Sequence, residues 1–169
     1  MLLVFETMNE DEMLRMVQGV YREACLDNAR WRYPDCADLS DAIREQEQGF
    51  VEFLRGFLAE ERNQYFLWED AGEWVSALRL TKLDGFYYLE ALETAPEHRK
   101  KGYGAKLMQA VAEYLQKHGP VVIRDNVSKK NVPSLELHKK CGFIIEAENG
   151  IDHLAGTQSD RVYGMILRT

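Results

Sequence analysis

The stretch Phe86–Leu115, FYYLEALETAPEHRKKGYGAKLMQAVAEYL, decides the fold of this 169-residue chain. Its first part, Phe86–Thr94, is rich in aromatic and aliphatic residues and predicts a strand. Pro96 ends the strand because proline has no N–H group for a ladder. Beyond Gly104, apolar residues recur at helical spacing up to the stop signal Gly119-Pro120. A strand is therefore followed by a helix, with a basic, glycine-containing loop between them.

That loop, Arg99-Lys100-Lys101-Gly102-Tyr103-Gly104, predicts an anion site. Free backbone N–H groups and the positive dipole end favour anions at a helix N-terminus, and glycine lets the backbone approach a ligand. The Walker loop needs Gly-Lys-Ser/Thr after four spacers, and the dinucleotide loop needs a third glycine where Leu107 stands, so neither fits. Phosphate or pyrophosphate is the expected ligand, and an ordinary turn with solvated lysines is the alternative.

Composition favours one domain, residues 1–169, in the cytoplasm. Hydrophobic residues make up 46% of the chain, no apolar run approaches membrane-spanning length, and Met1–Phe5 lacks the features of a signal peptide. The cysteines, Cys25, Cys36 and Cys141, are odd in number and unpaired in spacing, which argues against disulfides and zinc. A net charge of −7 argues against a nucleic-acid partner and favours a cationic substrate.

Hydrophobic periodicity and turn residues predict the order β-α-α-β-β-β-α-β-α-β-β. The two early helices are expected on either side of a loop, Asp27–Asp38. Further loops are expected at Asn126–Lys130, after a short strand Val121–Ile123, and at Glu148–Asp160. The order predicts an α/β fold with a mixed, mostly antiparallel sheet and helices on both faces. Its central β-loop-α-β unit is expected to make a parallel strand pair.

Two motifs resemble those of the GNAT superfamily of N-acetyltransferases. Arg99, Gly102 and Gly104 fill the positions of its R/Q-x-x-G-x-G/A loop. Asn131–Phe143, NVPSLELHKKCGF, resembles its second signature, N-x-x-A/S-x-x-x-Y-x-K-x-G-F, with His138 in place of the usual tyrosine. The predicted element order is similar to the GNAT fold across almost the whole chain. The resemblance therefore implies acetyl-CoA as co-substrate and no metal.

The resemblance also assigns residues to coenzyme A. The loop amides would bind its pyrophosphate, and the backbone of one strand would bind its pantetheine arm. The residues assigned in this way are Leu92, Thr94, Arg99, Lys100, Lys101, Gly102, Tyr103, Gly104, Ala105, Asn131 and Ser134.

Glu90 and His138 are the candidates for the chemistry. An attacking amine must lose a proton, and the resemblance places the Glu90 face of its strand toward the cleft. Strand alternation would put Leu92 and Thr94 on that same face and Glu93 on the other. Glu90 is therefore expected to be the base or the amine anchor, with a cross-strand salt bridge as the alternative. His138 stands where the family's tyrosine is proposed to protonate the departing thiolate, with a packed, hydrogen-bonded histidine as the alternative.

Two further segments are candidates for contact with the acceptor. His153 lies in the expected loop Glu148–Asp160, which in the family approaches the acceptor site, although a solvated histidine would look the same. Trp31, Tyr33 and neighbouring aspartates in the expected loop Asp27–Asp38 would suit an amine cation, or loop packing.

Together these features imply transfer of an acetyl group from acetyl-CoA to a primary amine of a small molecule or a protein. The amine would attack directly in a ternary complex, and the enzyme would be a monomer or homodimer with no membrane partner. A CoA-binding regulatory or degenerate domain with little turnover is the alternative, because the family's tyrosine is missing. A longer acyl-CoA donor would require a pocket depth that the sequence does not reveal.

Overall fold

A seven-stranded sheet forms the centre of the computed structural model, which describes residues 1–169. The strands are β1 (Leu2–Phe5), β2 (Asn63–Asp70), β3 (Glu73–Leu83), β4 (Phe86–Thr94), β5 (Val122–Ser128), β6 (Ile144–Ala147), β7 (Gly150–Asp152), β8 (Thr157–Ser159) and β9 (Val162–Arg168). The helices are α1 (Glu10–Gly19), α2 (Arg22–Arg32), α3 (Ser40–Leu58), α4 (Tyr103–Gln116) and α5 (Val132–Lys140).

The sheet has the order β1-β2-β3-β4-β5-β9-β6, and β7 and β8 form a separate hairpin. Only β4 and β5 pair in parallel, at the crossover through α4. The predicted mixed, mostly antiparallel sheet with one parallel crossover is confirmed. No helix is both long and apolar enough to span a bilayer.

Helices cover both faces of the sheet and bury two separate cores. On the face that we call the α4 face, α4 packs over Phe66, Leu80, Leu89 and Ile123. On the opposite face, which we call the α3 face, α1 and α3 pack over Tyr65, Leu67 and Ala77, in a core that includes Met16, Val17, Leu54 and Phe57. Because adjacent residues of a strand point to opposite faces, a single strand such as β2 contributes side chains to both cores.

Three helices, and not two, lie between β1 and β2. The expected loop Asp27–Asp38 is helical up to Arg32, because nothing breaks the helix before Pro34. The break falls earlier, at Tyr21, between α1 and α2. The polar composition of Asp27–Asp38 reflects an exposed helix surface, and Trp31 points into solvent from it.

Two other expected loops contain strands. Asn126–Ser128 continues β5, because its backbone pairs with β9 from Val162 to Gly164. The segment Glu148–Asp160 contains the hairpin β7–β8. The polar side chains of both segments are typical of loops, but backbone pairing holds these residues in strands.

Strand β4 contains a bulge at Ala91, which determines the shape of the site. Glu90 pairs with Arg79 and Glu93 pairs with Ala77, so two residues of β4 lie opposite one residue of β3. Ala91 has a left-handed backbone, with φ of 54°. Pairing with β5 is limited to Tyr87–Leu89, so the two parallel strands separate beyond that point.

The bulge overturns the expected alternation along β4. One extra residue reverses the sides to which the following side chains point. Leu92 packs on the core of the α4 face, as Leu89 does. Glu90 instead contacts Arg79, whose guanidinium lies 4.5 Å from the ring centroid of Phe53 in α3. The expectation that Glu90 and Leu92 share a face is therefore wrong.

Candidate active site

The loop between β4 and α4 presents backbone N–H groups that have no partner within the chain. The N–H groups of His98 and Arg99 donate to Ala95 and Pro96, and the first helical bond runs from Lys106 to Gly102 at 3.0 Å. The N–H groups of residues 100–105 donate to no backbone carbonyl. Successive free N–H groups at the positive end of a helix form a cradle for an anion.

The two positions of the loop that carry glycine require it for different structural reasons. Gly102 has φ of 83° and open space around it, so it supplies a left-handed turn at the start of α4. Gly104 has an ordinary backbone, but a Cβ there would lie 3.1 Å from Cδ2 of Leu137 and 3.5 Å from Oγ1 of Thr94. The absence of a side chain at Gly104 therefore lets α4 approach both α5 and β4.

A cleft of about 600 Å³ opens between this loop, the far half of β4 and the start of α5. Ten of the residues assigned to coenzyme A line it: Leu92, Thr94, Arg99, Lys100, Gly102, Tyr103, Gly104, Ala105, Asn131 and Ser134. Lys101 lies on the loop but does not line the cleft.

Arg99 has its own partners within the protein. Its Nε donates to the carbonyl of Thr94 at 3.1 Å, and its Nη2 donates to Glu93 at 3.1 Å and also contacts Glu23 of α2. Arg99 thus ties the loop to β4 and to α2. Its side chain holds the loop in place, while the backbone N–H groups face the cleft.

Asn131 begins α5 and still has a free donor. Its Oδ1 accepts a hydrogen bond of 3.2 Å from the N–H of Ser134, which is an N-cap contact. Its Nδ2 group donates to no atom of the chain, and the residue lines the cleft. Asn131 can therefore cap the helix and bind a ligand at once.

His138 is buried, with 1% of its surface exposed, and it does not line the cleft. Its Nδ1 lies 2.7 Å from the Ser134 carbonyl, and its Nε2 lies 2.7 Å from Oδ2 of Asp125 in β5. The Nδ1–H group donates to the carbonyl, and Nε2 shares a hydrogen with Asp125. Burial raises the pKa of Asp125, and His138 opposes that shift. Since both ring nitrogens are occupied, the geometry is that of the packed, hydrogen-bonded histidine, and a direct thiolate acid at His138 is not supported.

Glu90 lies at the bulge and makes the cross-strand salt bridge that the sequence left open. Arg79 donates from both Nε and Nη2 to its two carboxylate oxygens, each at 3.3 Å. The carboxylate remains partly exposed. A carboxylate has about four acceptor sites, so Glu90 retains capacity for a further N–H donor.

Sequence reasoning missed Tyr21, Ala91 and Asp125. Tyr21 donates to the carbonyl of Ala91 at 2.7 Å, and burial raises the pKa of its phenol. In the sequence Tyr21 belongs to an apolar helical stripe, and an alanine gives no sign of a left-handed backbone. Asp125 did carry a signal, because an acidic residue after Val121-Val122-Ile123 is costly to bury unless it has a partner.

Comparison with known proteins identifies the family. A family model described as the Acetyltransferase (GNAT) family matches residues 23–143, which is most of the chain. This chain belongs to the GNAT acetyltransferase family. The resemblance that the two motifs indicated is confirmed. The match to the family model extends from α2 to the end of α5 and therefore includes the bulge, the loop and the cleft of this GNAT protein.

Individual relatives agree with that assignment. The chain is 27% identical over 134 residues to the L-amino acid N-acyltransferase MnaT of Escherichia coli, covering 78% of this chain and 74% of that protein. It is 36% identical over 61 residues to the N-acetyltransferase 9-like protein of Schizosaccharomyces pombe, but this match covers 32% of the chain and only 28% of that relative.

The fold also matches a solved structure, the PaiA N-acetyltransferase of Thermoplasma acidophilum in complex with coenzyme A. The TM-score is 0.69 at 16% identity, covering 100% of this chain and 99% of that one. At this identity the likeness shows the fold alone. In the present GNAT protein no three His, Cys, Asp or Glu side chains form a group that could hold a metal ion.

Proposed function

We propose that this GNAT protein transfers the acetyl group of acetyl-CoA to a primary amine by direct attack in a ternary complex. The observation that carries the proposal is the continuous set of free N–H groups at residues 100–105, at the edge of a cleft that leads to the β4 bulge. A pyrophosphate is the anion that such a cradle holds well. The cleft runs from there along β4, as a long, flexible ligand requires.

The remaining contacts to coenzyme A follow from the shape of the cleft. Beyond Leu89 the edge of β4 has no β5 partner, which leaves the backbone of Leu92 available to the pantetheine arm. The N–H of Thr94 donates to Glu93 and its carbonyl accepts from Arg99, so at Thr94 the second lone pair of the carbonyl remains for the arm. The free amide of Asn131 would donate to the same arm from the other wall. Lys100, with φ of 61°, adds charge beside the pyrophosphate.

The chemistry is placed at the bulge. Backbone N–H groups on the separated edge of β4 would stabilise the oxyanion that forms when an amine attacks the acetyl carbonyl. Glu90, already held by Arg79, would accept an N–H of the incoming amine and so anchor it, with its surplus proton passing to water. Coenzyme A leaves as a thiolate, and since a thiol titrates at about pH 8.5, this leaving group does not need a protein acid.

His138 is assigned a positioning role in this scheme. By binding Asp125 of β5 it fixes α5 against the sheet, and its bond to the Ser134 carbonyl, one turn earlier in α5, orients the ring. Asn131, Ser134 and Leu137 of that segment then form one wall of the cleft. In place of the tyrosine of the family's signature, this chain has a buried histidine that positions the helix lining the cleft.

Thermal unfolding with and without acetyl-CoA tests the proposal, with ATP as the control anion. At a hundredfold excess over Kd, binding stabilises the native state by about 2.7 kcal/mol. For a chain of this size each kcal/mol raises Tm by roughly 2–4 °C, so the shift is easily measured. Thiol release with a panel of amines follows. A shift without amine-dependent release would support the CoA-binding regulatory domain, and the absence of any shift would contradict both.

A further inference from the structure

A second groove, on the α3 face, is built differently from the cleft between β4, the basic loop and α5, which is proposed to bind coenzyme A and which we call the coenzyme A cleft. Its volume is about 560 Å³. One wall is the α3 surface at Phe53 and Phe57, the other is the β7–β8 turn at His153 and Leu154, and the floor is formed by Asn63 and Thr81. We call it the α3 groove. None of these residues lines the coenzyme A cleft.

The floor of the α3 groove contains two oxygen atoms without partners. Asn63 and Thr81 are register neighbours on β2 and β3, and they are 5% and 1% exposed. The amide Nδ2 of Asn63 donates to the Phe57 carbonyl at 2.8 Å, which fixes the amide and leaves its Oδ1 unpaired. The hydroxyl of Thr81 is also unpaired. Buried polar atoms without partners are rare, so this pair indicates a missing hydrogen-bonding group.

The charges around the groove favour a cation. Arg62 is the only lysine or arginine among the lining residues, and its Nε is bound to Glu60 at 2.8 Å. Arg79 lies 4.5 Å from the ring centroid of Phe53, and its charge is paired with Glu90. Glu52 also lines the groove and makes no ion pair or hydrogen bond. Counting the lining residues together with the Arg79–Glu90 pair, the unbalanced charge is negative and belongs to Glu52. His153 adds an acceptor, because burial and then Arg124 lower its pKa and favour the neutral ring.

The walls of the groove suit an aliphatic chain. Phe53 and Leu154 are large apolar residues that remain 42% and 46% exposed. They stand on the two opposite walls, above the polar floor. A ligand with methylene groups between nitrogen atoms would cover the apolar walls and reach the carboxylate and the floor oxygens together.

The groove also lies within reach of the reaction centre. Thr81 pairs with Tyr88 of β4, and the ring of His153 lies 5.2 Å from that of Tyr88. Ala91 is three residues further along β4, which is roughly 10 Å at a rise of about 3.3 Å per residue. A chain of that length would join an amine at the bulge to a second nitrogen in the groove.

We propose that the α3 groove binds the distal ammonium of an aliphatic polyamine whose terminal amine is acetylated at the β4 bulge. Glu52 supplies the opposite charge, Asn63 and Thr81 accept N–H bonds, and Phe53 and Leu154 contact the methylene groups. This inference rests on the proposed acetyl transfer, and it names the acceptor class as an amine with a second cationic nitrogen.

The test compares spermidine with n-butylamine as acceptors for the full chain, by thiol release from acetyl-CoA. We expect kcat/KM to be at least about tenfold higher for spermidine, as expected for hydrogen bonds to a charged group. Glu52→Gln and Thr81→Val should each lower this ratio several-fold, and Thr81→Ser should restore it. The control is Glu113→Gln, which removes the same charge from an exposed residue of α4.

Titration of the ¹⁵N-labelled chain with spermidine gives a second readout that does not depend on turnover. The amide signals of Gly56, Thr81 and Leu154 should shift. If spermidine shifts these signals but no amine is acetylated, the groove site stands and the proposed reaction falls. If amines are acetylated but the ratio is near one, or is unchanged in both groove variants, the groove inference is overturned. If spermidine shifts none of these signals and no amine is acetylated, both the groove inference and the proposed reaction are contradicted.

Discussion

The phenol of Tyr21 donates a hydrogen bond of 2.7 Å to the carbonyl oxygen of Ala91. Tyr21 lies at the junction of α1 and α2, and Ala91 is the left-handed residue of the β4 bulge. A left-handed alanine costs about 1–2 kcal/mol, so a fixed partner for its carbonyl helps to keep the bulge in place. The helices of the α3 face are in this way coupled to the shape of the coenzyme A cleft.

Tyr21→Phe should therefore destabilise the fold and weaken binding of acetyl-CoA. The Ala91 carbonyl would lose a hydrogen bond at a partly buried site, which costs about 0.5–1.5 kcal/mol. Urea unfolding measures the loss of stability, and calorimetry measures the Kd for acetyl-CoA. Tyr33→Phe removes an exposed hydroxyl that contacts Glu45 at 3.1 Å and should change stability by less than about 0.5 kcal/mol. Equal effects of the two changes would disprove a special role for Tyr21.

The glycines of the loop should respond differently to substitution. Gly102→Ala introduces a side chain at φ of 83° and should cost about 1–2 kcal/mol of stability. Gly102→Asn should cost less, because asparagine tolerates this backbone and the surrounding space is open. Urea unfolding of both variants distinguishes backbone strain from steric conflict, which would penalise the larger asparagine more.

Gly104→Ala should act through packing. The new Cβ would lie 3.1 Å from Cδ2 of Leu137, so the Leu137 side chain at the wall of the cleft would have to move by a few tenths of an ångström. We expect the KM for acetyl-CoA to rise while the far-UV circular dichroism is kept. Leu137→Ala in the same chain should remove the conflict and recover part of the KM. A rise in KM that Leu137→Ala leaves unchanged would show that the glycine is needed for the ligand and not for α5.

Some of this site could be predicted from sequence because its causes are local. Pro96 restricts its own backbone, Gly102 permits a left-handed one, and apolar periodicity defines α4, so the strand-loop-helix unit followed from neighbouring residues alone. The bulge could not be predicted, because Ala91 has no intrinsic preference for a left-handed backbone and its partner Tyr21 is 70 residues away. The faces of Glu90 and Leu92 were then misjudged as a direct consequence.

His138 shows the same limit in another form. Its position in the signature could be read, but its burial depends on Asp125, which β5 carries to it across the fold. His138→Ala would leave that carboxylate buried without its partner, and breaking a buried pair in this way costs about 3–5 kcal/mol. Asp125→Asn keeps a polar group opposite the ring and should cost less. Urea unfolding of the two variants measures the difference.

The loss in His138→Ala should also depend on pH in a definite direction. Burial raises the pKa of Asp125 in the folded state. Without His138 to oppose the shift, the folded protein would favour the protonated carboxyl still more strongly. When the pKa of a carboxyl is higher in the folded than in the unfolded state, its contribution to stability is fully present below the unfolded-state pKa of about 3.9. That contribution is lost as the pH rises through the folded-state pKa. The variant should therefore lie closer to wild type at pH 4 than at pH 7, and a constant difference would contradict this account.

His153 should titrate below the ordinary histidine range. Burial in the β7–β8 turn and the nearby Arg124 lower its pKa, while Glu146 and Asp152 oppose the shift. Histidine Cε1 shifts in ¹³C NMR spectra measure the pKa directly. Arg124→Gln should raise it, and Arg168→Gln, which also frees Glu146 from an arginine, is the control. Because the folded pKa is depressed, the contribution of His153 to stability is present above about pH 6.5 and is lost as pH falls through the folded value. A His153 pKa at or above the ordinary value would contradict this prediction, and a pKa above neutral pH would give the α3 groove a cationic ring that repels an ammonium.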